Sequence, residues 1–243
     1  MQEHYNNILE FNSAFEVEVC SEELFSSTSE KNKKIIKFRM SLIKEEVKEL
    51  EEAIRDKDFT EVVDALNDIL YVAYGAMIAF SFQLENAYIK NNNNREKVAM
   101  NIFRYPYRFN MDKVIYRQLG NILIICSNLE QAVAAKDILN TNTALQDLIH
   151  AAYKSLDEFN VDYMKSFSIV HLSNMSKLCS SEQEAIETVE SYKNAIPIRY
   201  EFPAYRESKV YGKWIVYNNS AEPKILKNIN YVPANFSQII AIL

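Results

Sequence analysis

Carboxylate side chains concentrate between residues 39 and 68, in the segment RMSLIKEEVKELEEAIRDKDFTEVVDALND. Within it, Glu46 and Glu49 are three residues apart, and Glu45 directly precedes Glu46. A helix brings positions i and i+3 to one face, so Glu46 and Glu49 are spaced to converge on one ion. The spacing therefore predicts one arm of a metal site on this helix.

A second group of acids follows after a short turn. Glu61, Asp64 and Asp68 are separated by three and four residues, which again follows one helical face. Asp64 and Asp68 lie inside the apolar run VVDALNDILYVAYGAMIAF, where a carboxylate needs a partner. Acidic stripes on two consecutive antiparallel helices would repel each other unless cations lay between them. Because hard oxygen ligands suit these ions, we predict a site for Mg²⁺, with Mn²⁺ as the alternative.

Several ordered blocks of the chain resemble a known family. The pattern EExxE, a short turn and the run DILYVAYG are similar to the all-α nucleoside triphosphate pyrophosphohydrolases, the MazG-like and phosphoribosyl-ATP pyrophosphohydrolase-like superfamily. One branch of that family is resembled by further blocks: EFNSAF at 10–15, VHLSNMSKL at 170–178, AYR at 204–206, KWIVYN at 213–218 and KILKNINYVPANF at 224–236. The resemblance covers about 160 residues and implies an all-α helical bundle with antiparallel metal-binding helices.

The resemblance also implies a reaction, the hydrolysis of a (deoxy)nucleoside triphosphate to the monophosphate and pyrophosphate. Such an enzyme serves in removing non-standard nucleotides or in controlling nucleotide pools. Bound Mg²⁺ would neutralise the triphosphate and activate water. We assign the metal ligands to Glu46, Glu49, Asp64 and Asp68, and the role of catalytic base or extra ligand to Glu45, which points about 100° away from Glu46. The family usually builds its site between subunits, so a homodimer or homotetramer is expected.

Two departures from the family pattern affect these assignments. Many members carry a Glu three residues before the Asp that precedes ILY, and Ala65 occupies that position here. The second arm is then either Asp64 with Asp68, or it includes Glu61. In addition, the segment at about 83–160 is longer than the short connection that the family pattern leads us to expect there. Its Asn tract and two predicted helices form an insertion.

Positive and polar groups should complete a phosphate site. The block SNMSK contributes Lys177, with Asn174 as a reader of base or sugar. The remaining candidates for substrate binding are Arg39, Lys224, Lys227 and Tyr231.

Three other functions are alternatives to nucleoside triphosphate hydrolysis. A ferritin-like di-iron protein needs Glu-x-x-His pairs, and none of His4, His150 or His171 has Glu three residues earlier. A phosphoribosyl-ATP pyrophosphohydrolase would share the metal site and differ in its base and ribose contacts. A catalytically silent scaffold or nucleotide-binding regulator also stays open because of Ala65 and the insertion.

Composition excludes several classes of protein. Gly75, Gly120 and Gly212 are too far apart for a dinucleotide fingerprint or a phosphate loop. The net charge of −6 argues against a nucleic-acid partner. No apolar run approaches the roughly 18 residues of a membrane span, and no secretory signal is visible. The three widely spaced Cys residues fit a reduced, cytoplasmic location.

Hydrophobic spacing predicts a mainly helical chain, organised as a single domain over 1–243. Helices are expected at 2–15, 35–55, 60–82, 112–139, 143–158, 162–178 and 181–194. Thr60 is the predicted N-cap of the third, and NTNT at 140–143 is the predicted break between the fourth and fifth. The last 50 residues are expected to form an irregular segment or a β-hairpin, with strands in KWIVYNN and KILKNINYV.

Overall fold

Seven helices and one antiparallel hairpin make up the part of the chain that the computed structural model describes, namely residues 1–21, 23–26, 28–83, 108–209, 212–220 and 223–240. The helices are α1 (Gln2–Ala14), α2 (Glu30–Asp56), α3 (Phe59–Ala79), α4 (Arg108–Ala134), α5 (Ile138–Glu158), α6 (Tyr163–Met175) and α7 (Glu182–Lys193). The strands are β1 (Pro203–Glu207) and β2 (Trp214–Asn218). The predicted helical class with a C-terminal hairpin is confirmed.

Local signals at residues 57 and 58 set the α2–α3 hairpin. Lys57 adopts a left-handed conformation (φ 58°), and its N–H donates to carbonyls in the last turn of α2. The carboxylate of Asp58 accepts hydrogen bonds from the N–H groups of Thr60 (3.0 Å) and Glu61 (3.2 Å). The prediction of Thr60 as the N-cap was therefore wrong, because Asp58 is the extended residue that caps the helix. A two-residue connection between packed helices makes the pair antiparallel.

The first of two compact units comprises residues 1–5, 19–167 and 236–243. In it, α2 packs against α3 and α4, and α5 packs against the same two helices, so the four form a bundle. Every residue from Ala73 to Ala79 of α3 is buried. The α3 helix is therefore the central element of this unit's core.

The apolar character of α3 corrects one expectation. By length and composition alone, Phe59–Ala79 is long and apolar enough to cross a membrane, although no run of that kind was expected. Most of the helix is buried inside the protein, as the core helix of a bundle is.

The second unit comprises residues 6–18 and 168–235. Its β1 and β2 pair in antiparallel register, with Tyr205 opposite Val216, and α7 packs against both strands. The core beneath them contains Cys179, Val189, Val216 and Leu226. The single-domain organisation predicted for the chain stays a prediction.

Several predicted boundaries differ from the structure. NTNT at 140–143 does not break a helix, because Asp137 caps α5 and accepts from the Asn140 N–H at 3.0 Å; the break falls at 135–137. The segment KILKNINYV contributes one isolated bridge, Ile225 to Tyr217, and β2 pairs instead with Pro203–Glu207. The α3 helix ends at Ala79 rather than Phe82. The Asn tract of the predicted insertion lies outside the described residues.

Candidate functional site

The acids of α3 occupy the one partly exposed stripe of a buried helix. Beyond its first turn, the residues of α3 that are not fully buried are Asp64, Asp68 and Val72, and they continue the line of the exposed Glu61. They are spaced by three and four residues, so they share one face, as the sequence predicts. Ala65, at the position where the family pattern has Glu, is only 4% exposed, although it follows Glu61 by four residues and precedes Asp68 by three.

On α2, Glu46 lies within the buried face. Its neighbours three residues before and four after, Ile43 and Leu50, are each 1% exposed, while Glu46 itself is half-buried. Glu45 and Glu49 are exposed. Of the three predicted acids on this helix, Glu46 is therefore the one set closest to the core.

The antiparallel pairing places Glu46 and Asp68 at the same level of the hairpin. At 1.5 Å per residue, Glu46 lies about 16 Å along α2 from Lys57, and Asp68 lies about 15 Å along α3 from Asp58. Glu49 and Asp64 lie nearer the turn, at about 12 Å and about 9 Å. The hairpin therefore sets the two pairs of predicted ligands at neighbouring levels of adjacent helices.

The side chains themselves are not gathered into a metal-binding cluster. Throughout the part of the chain that the structure describes, no three His, Cys, Asp or Glu side chains form a group that could hold a metal ion. The donor set nevertheless has the chemistry for one, since carboxylate oxygens are preferred by Mg²⁺ and Mn²⁺. What supports a metal centre is thus the chemistry of the donors and their helical placement.

A buried amide anchors α3 one residue before Asp68. The Oδ1 of Asn67 accepts a hydrogen bond of 3.0 Å from the Ser166 hydroxyl, and the Asn67 side-chain NH₂ donates to the Val63 carbonyl at 2.7 Å. Both Asn67 and Ser166 are fully buried. Sequence reasoning missed this pair; the only signal was a third polar residue in the apolar run of α3.

Aromatic side chains hold the next turns of α3 in place. Tyr71 stacks on Phe167 with ring centroids 5.7 Å apart. The hydroxyls of Tyr74 and Tyr153 are 3.0 Å apart, and Tyr153 also bonds the His4 Nδ1 at 2.5 Å. Burial raises the pKa of both Tyr74 and Tyr153, so their phenols stay protonated. These tyrosines fix the backbone that carries the acids.

Arg39 lies about two helical turns before Glu46 on α2, packed against α3. A Cβ added to Gly75 would stand 2.9 Å from the Arg39 Nη1, so the guanidinium fills the space of the missing side chain. Arg39 is 6% exposed. Its Nη2 has no hydrogen-bond partner among the described residues. The side chain packed against Gly75 is therefore that of Arg39.

The other predicted substrate residues belong to the second unit, where four of them lie on two touching segments. At the end of α6, the Lys177 Nζ donates to the Asn174 Oδ1 at 2.5 Å. One turn earlier, the Ser173 hydroxyl is 2.8 Å from the Tyr231 hydroxyl. The Lys227 Nζ lies 4.5 Å from the centre of the Tyr231 ring, a cation–π distance. These segments form a basic and aromatic surface.

Lys224 lies elsewhere in the same unit. Its backbone N–H donates to the Asn218 side chain at 2.5 Å, and its carbonyl accepts from the Asn218 N–H at 3.2 Å. These bonds attach the segment to the end of β2. They concern the backbone of Lys224, so its predicted role in binding substrate stays a prediction.

A groove between α2 and α4 has a volume of about 210 Å³, and its lining includes Lys44, Lys48, Glu51, Cys126 and Glu130. Charges of both signs meet there, and Lys44 pairs with Glu130 at 3.1 Å. Burial raises the pKa of the Cys126 thiol to about 12, which keeps it protonated. None of the lining residues belongs to the predicted site.

Comparisons with known proteins relate part of the chain to a known family. Residues 9–93 match the family described as phosphoribosyl-ATP pyrophosphohydrolase (PRA-PH), and that span includes α2 and α3. An uncharacterized protein of Acanthamoeba polyphaga mimivirus is 32% identical over 221 residues, which cover 87% of this chain and 85% of that protein. No solved structure matches the chain.

Proposed function

The chain belongs to the phosphoribosyl-ATP pyrophosphohydrolase family, part of the MazG-like all-α superfamily, and on this premise we propose that it hydrolyses a (deoxy)nucleoside triphosphate. The family supports pyrophosphohydrolase activity on nucleotides generally. The observation that carries the finer proposal is the stripe on α3, where Asp64 and Asp68 hold the partly exposed positions of a buried helix. The products are the nucleoside monophosphate and pyrophosphate.

The proposed metal ligands are Glu46 and Glu49 of α2 with Asp64 and Asp68 of α3. When bound, Mg²⁺ or Mn²⁺ would neutralise phosphate charge and lower the pKa of water. The α2–α3 hairpin holds the four carboxylates at neighbouring levels, and the buried Asn67 fixes the register of α3. These residues therefore position the polyphosphate without a Gly-rich loop.

Glu45 is the proposed base. It is exposed and directly precedes Glu46, so it can accept the proton of an attacking water at its carboxylate. Water adds to the α-phosphorus of the substrate. The bond from that phosphorus to the oxygen bridging the α- and β-phosphates breaks, and pyrophosphate leaves with the electron pair of that bond. Lys177 and Lys227, with Asn174 and Tyr231, are proposed to contact substrate phosphate, base or sugar.

A second candidate substrate is phosphoribosyl-ATP. The observation in its favour is the family match itself, since residues 9–93 match the family that bears this substrate's name. Both substrates present a polyphosphate to the same acids. They differ in the base and the ribose, and therefore in the contacts that those parts of the substrate would make.

Pyrophosphate release tests these proposals. Purified protein is incubated with Mg²⁺ and a panel of nucleoside triphosphates, deoxynucleoside triphosphates and phosphoribosyl-ATP, and kcat/KM is measured for each. The proposed function requires Mg²⁺-dependent release from at least one of them, and the ratio of kcat/KM values separates the two candidates. Binding of Mn²⁺ is followed in parallel for wild type and Glu49→Ala.

A silent scaffold would give a different result. In that case no member of the panel releases pyrophosphate, and Glu49→Ala leaves Mn²⁺ binding unchanged. That combination would overturn both the enzymatic proposal and the metal assignment.

A homo-oligomer remains part of the proposal. It is supported by three apolar side chains of α4 that are exposed: Tyr116 (56%), Leu123 (37%) and Ile124 (62%). They recur at helical spacing, which is typical of an interface face. Light scattering after size exclusion should give a dimer or tetramer mass, and Ile124→Glu should lower it; a monomeric wild type would contradict this.

A further inference from the structure

Arg39 is a buried charge without a counter-charge among the residues that the structure describes. It is 6% exposed, and its Nη2 makes no hydrogen bond to any of the residues described. Burial lowers the pKa of Arg39 to about 10, so the guanidinium is still protonated at neutral pH. An unpaired buried charge is strongly unfavourable, which indicates that something outside the described residues compensates it.

The described ionisable group that acts on Arg39 does not supply the compensation. Among the described residues, Cys20 is the one group that raises the pKa of Arg39. Burial in turn raises the pKa of the Cys20 thiol, so that thiol is neutral at pH 7. Within the described residues, no carboxylate stabilises the charge on Arg39.

The position of Arg39 relates it to the row of acids. Gly75 continues the stripe of Asp68 and Val72 at the spacing of one helical face. Arg39, which is seated on Gly75, precedes Glu46 by two turns, or about 10 Å along α2. The Arg39 guanidinium therefore lies beyond one end of the acidic row, by which we mean Glu46 and Glu49 of α2 with Asp64 and Asp68 of α3.

Gly75 provides the space that the guanidinium occupies. Without a Cβ, the guanidinium lies directly against α3, and the backbone imposes no wall between them. Val72, one turn earlier on the same stripe, is still partly exposed. Val72 therefore marks the partly exposed position of the stripe that is nearest in sequence to Gly75.

We propose that the Arg39 guanidinium, seated on Gly75, binds a phosphoryl oxygen of the nucleotide polyphosphate. The inference rests on the proposed function, because it takes the acidic row as the place where the polyphosphate lies. The planar fork of an arginine matches phosphate oxygens in two parallel hydrogen bonds. Bound phosphate thereby supplies both the missing hydrogen-bond acceptor and the missing negative charge.

The test measures anion binding without turnover. Pyrophosphate is titrated calorimetrically into the full chain with Mg²⁺ present at constant ionic strength, for wild type, Arg39→Met, Arg39→Lys and Gly75→Ala. Arg55→Met is the matched control, because Arg55 lies on the same helix with 69% of its side chain exposed. Thermal unfolding without ligand is recorded for each protein.

We expect Arg39→Met to weaken pyrophosphate binding by about tenfold or more, because the variant loses a charge-assisted hydrogen bond to phosphate. Gly75→Ala should weaken it as well, since the new Cβ displaces the guanidinium. Arg39→Lys should retain part of the affinity, and Arg55→Met should match wild type. Without ligand, Arg39→Met should melt at the same temperature as wild type or higher.

Two results would overturn the proposal. One is wild-type affinity for pyrophosphate in Arg39→Met. The other is a marked fall in the melting temperature of Arg39→Met without ligand, which would show that the guanidinium has a partner within the chain. Failure of the proposed function is a separate outcome: wild type would bind pyrophosphate through Arg39 yet release none from any nucleotide.

Discussion

The Oδ1 of Asn67 and the hydroxyl of Ser166 are 3.0 Å apart, and both side chains are fully buried. This hydrogen bond joins α3 to α6 one residue before Asp68. Ser166→Ala would leave the amide oxygen buried without its donor, at a cost of about 1–3 kcal/mol. Urea unfolding should show this loss, whereas Ser127→Ala, on the exposed side of α4, should change stability little. Equal stability of the two variants would contradict the anchoring role.

The cap of α3 gives a second prediction, with its control two residues away. Asp58 accepts from two backbone N–H groups, so Asp58→Ala should lower the free energy of unfolding by about 1 kcal/mol. Thr60 is exposed in the first turn, and Thr60→Ala should have a smaller effect. Thermal unfolding of both variants decides between them. A larger loss of stability in Thr60→Ala than in Asp58→Ala would show that Thr60 is the N-cap, as the sequence predicts.

Helical periodicity made the acidic stripes predictable. The spacing of Asp64 and Asp68 depends only on the geometry of one helix, and the structure places both on one partly exposed face. The hydrophobic spacing of α2 likewise predicts its buried face. Local rules are sufficient wherever the determining residues lie within a few turns of one another.

Contacts between distant residues could not be predicted in this way. Asn67 and Ser166 are 99 positions apart, and nothing in either segment indicates the other as its partner. The burial of the Arg39 guanidinium, whose Nη2 has no hydrogen-bond partner among the described residues, likewise depends on how α3 packs against α2. Turn positions failed for another reason. Each of these helices has two candidate N-caps in the sequence: Asp58 or Thr60 for α3, and Asp137 or the NTNT run for α5. Which candidate caps the helix depends on where the chain reverses direction.

Ala65 provides a test of the second acidic arm. The position is 4% exposed, so Ala65→Glu should bury a carboxylate and cost about 2 kcal/mol or more. Urea unfolding in EDTA measures this cost, and Thr60→Glu, at an exposed position of the same helix, is the control. Stabilisation of Ala65→Glu by added Mg²⁺ would show instead that position 65 faces the ion.

Glu16 should make the second unit sensitive to acid. Its carboxylate accepts from the Lys209 backbone N–H at 2.7 Å and from the Arg206 guanidinium, which together hold the pKa of Glu16 below its usual 4.5. The stabilisation is complete above pH 4.5 and is lost as the pH falls toward the lowered pKa. Glu16→Gln should therefore cost up to about 1 kcal/mol at pH 7 and little at pH 3.

The control for Glu16 is Glu190→Gln, since Glu190 pairs with Lys193 on the exposed face of α7, where 54% of its side chain is accessible. This variant should follow wild type at every pH. A difference between Glu16→Gln and wild type that persists unchanged at pH 3 would show that the carboxylate charge is not the cause.

The acids at one level of the hairpin give the sharpest prediction about activity. Glu46→Gln and Asp68→Asn each preserve shape and remove one charge, so each should lower Mg²⁺-dependent pyrophosphate release by at least about 100-fold. Glu52→Gln is the matched control on α2, because Glu52 forms a surface pair with Lys48 at 3.4 Å and should leave kcat/KM near wild type. Circular dichroism checks that the helices are intact. If Asp68→Asn kept full activity while Asp64→Asn lost it, the active acid of α3 would lie one turn closer to the hairpin bend, level with Glu49 rather than with Glu46.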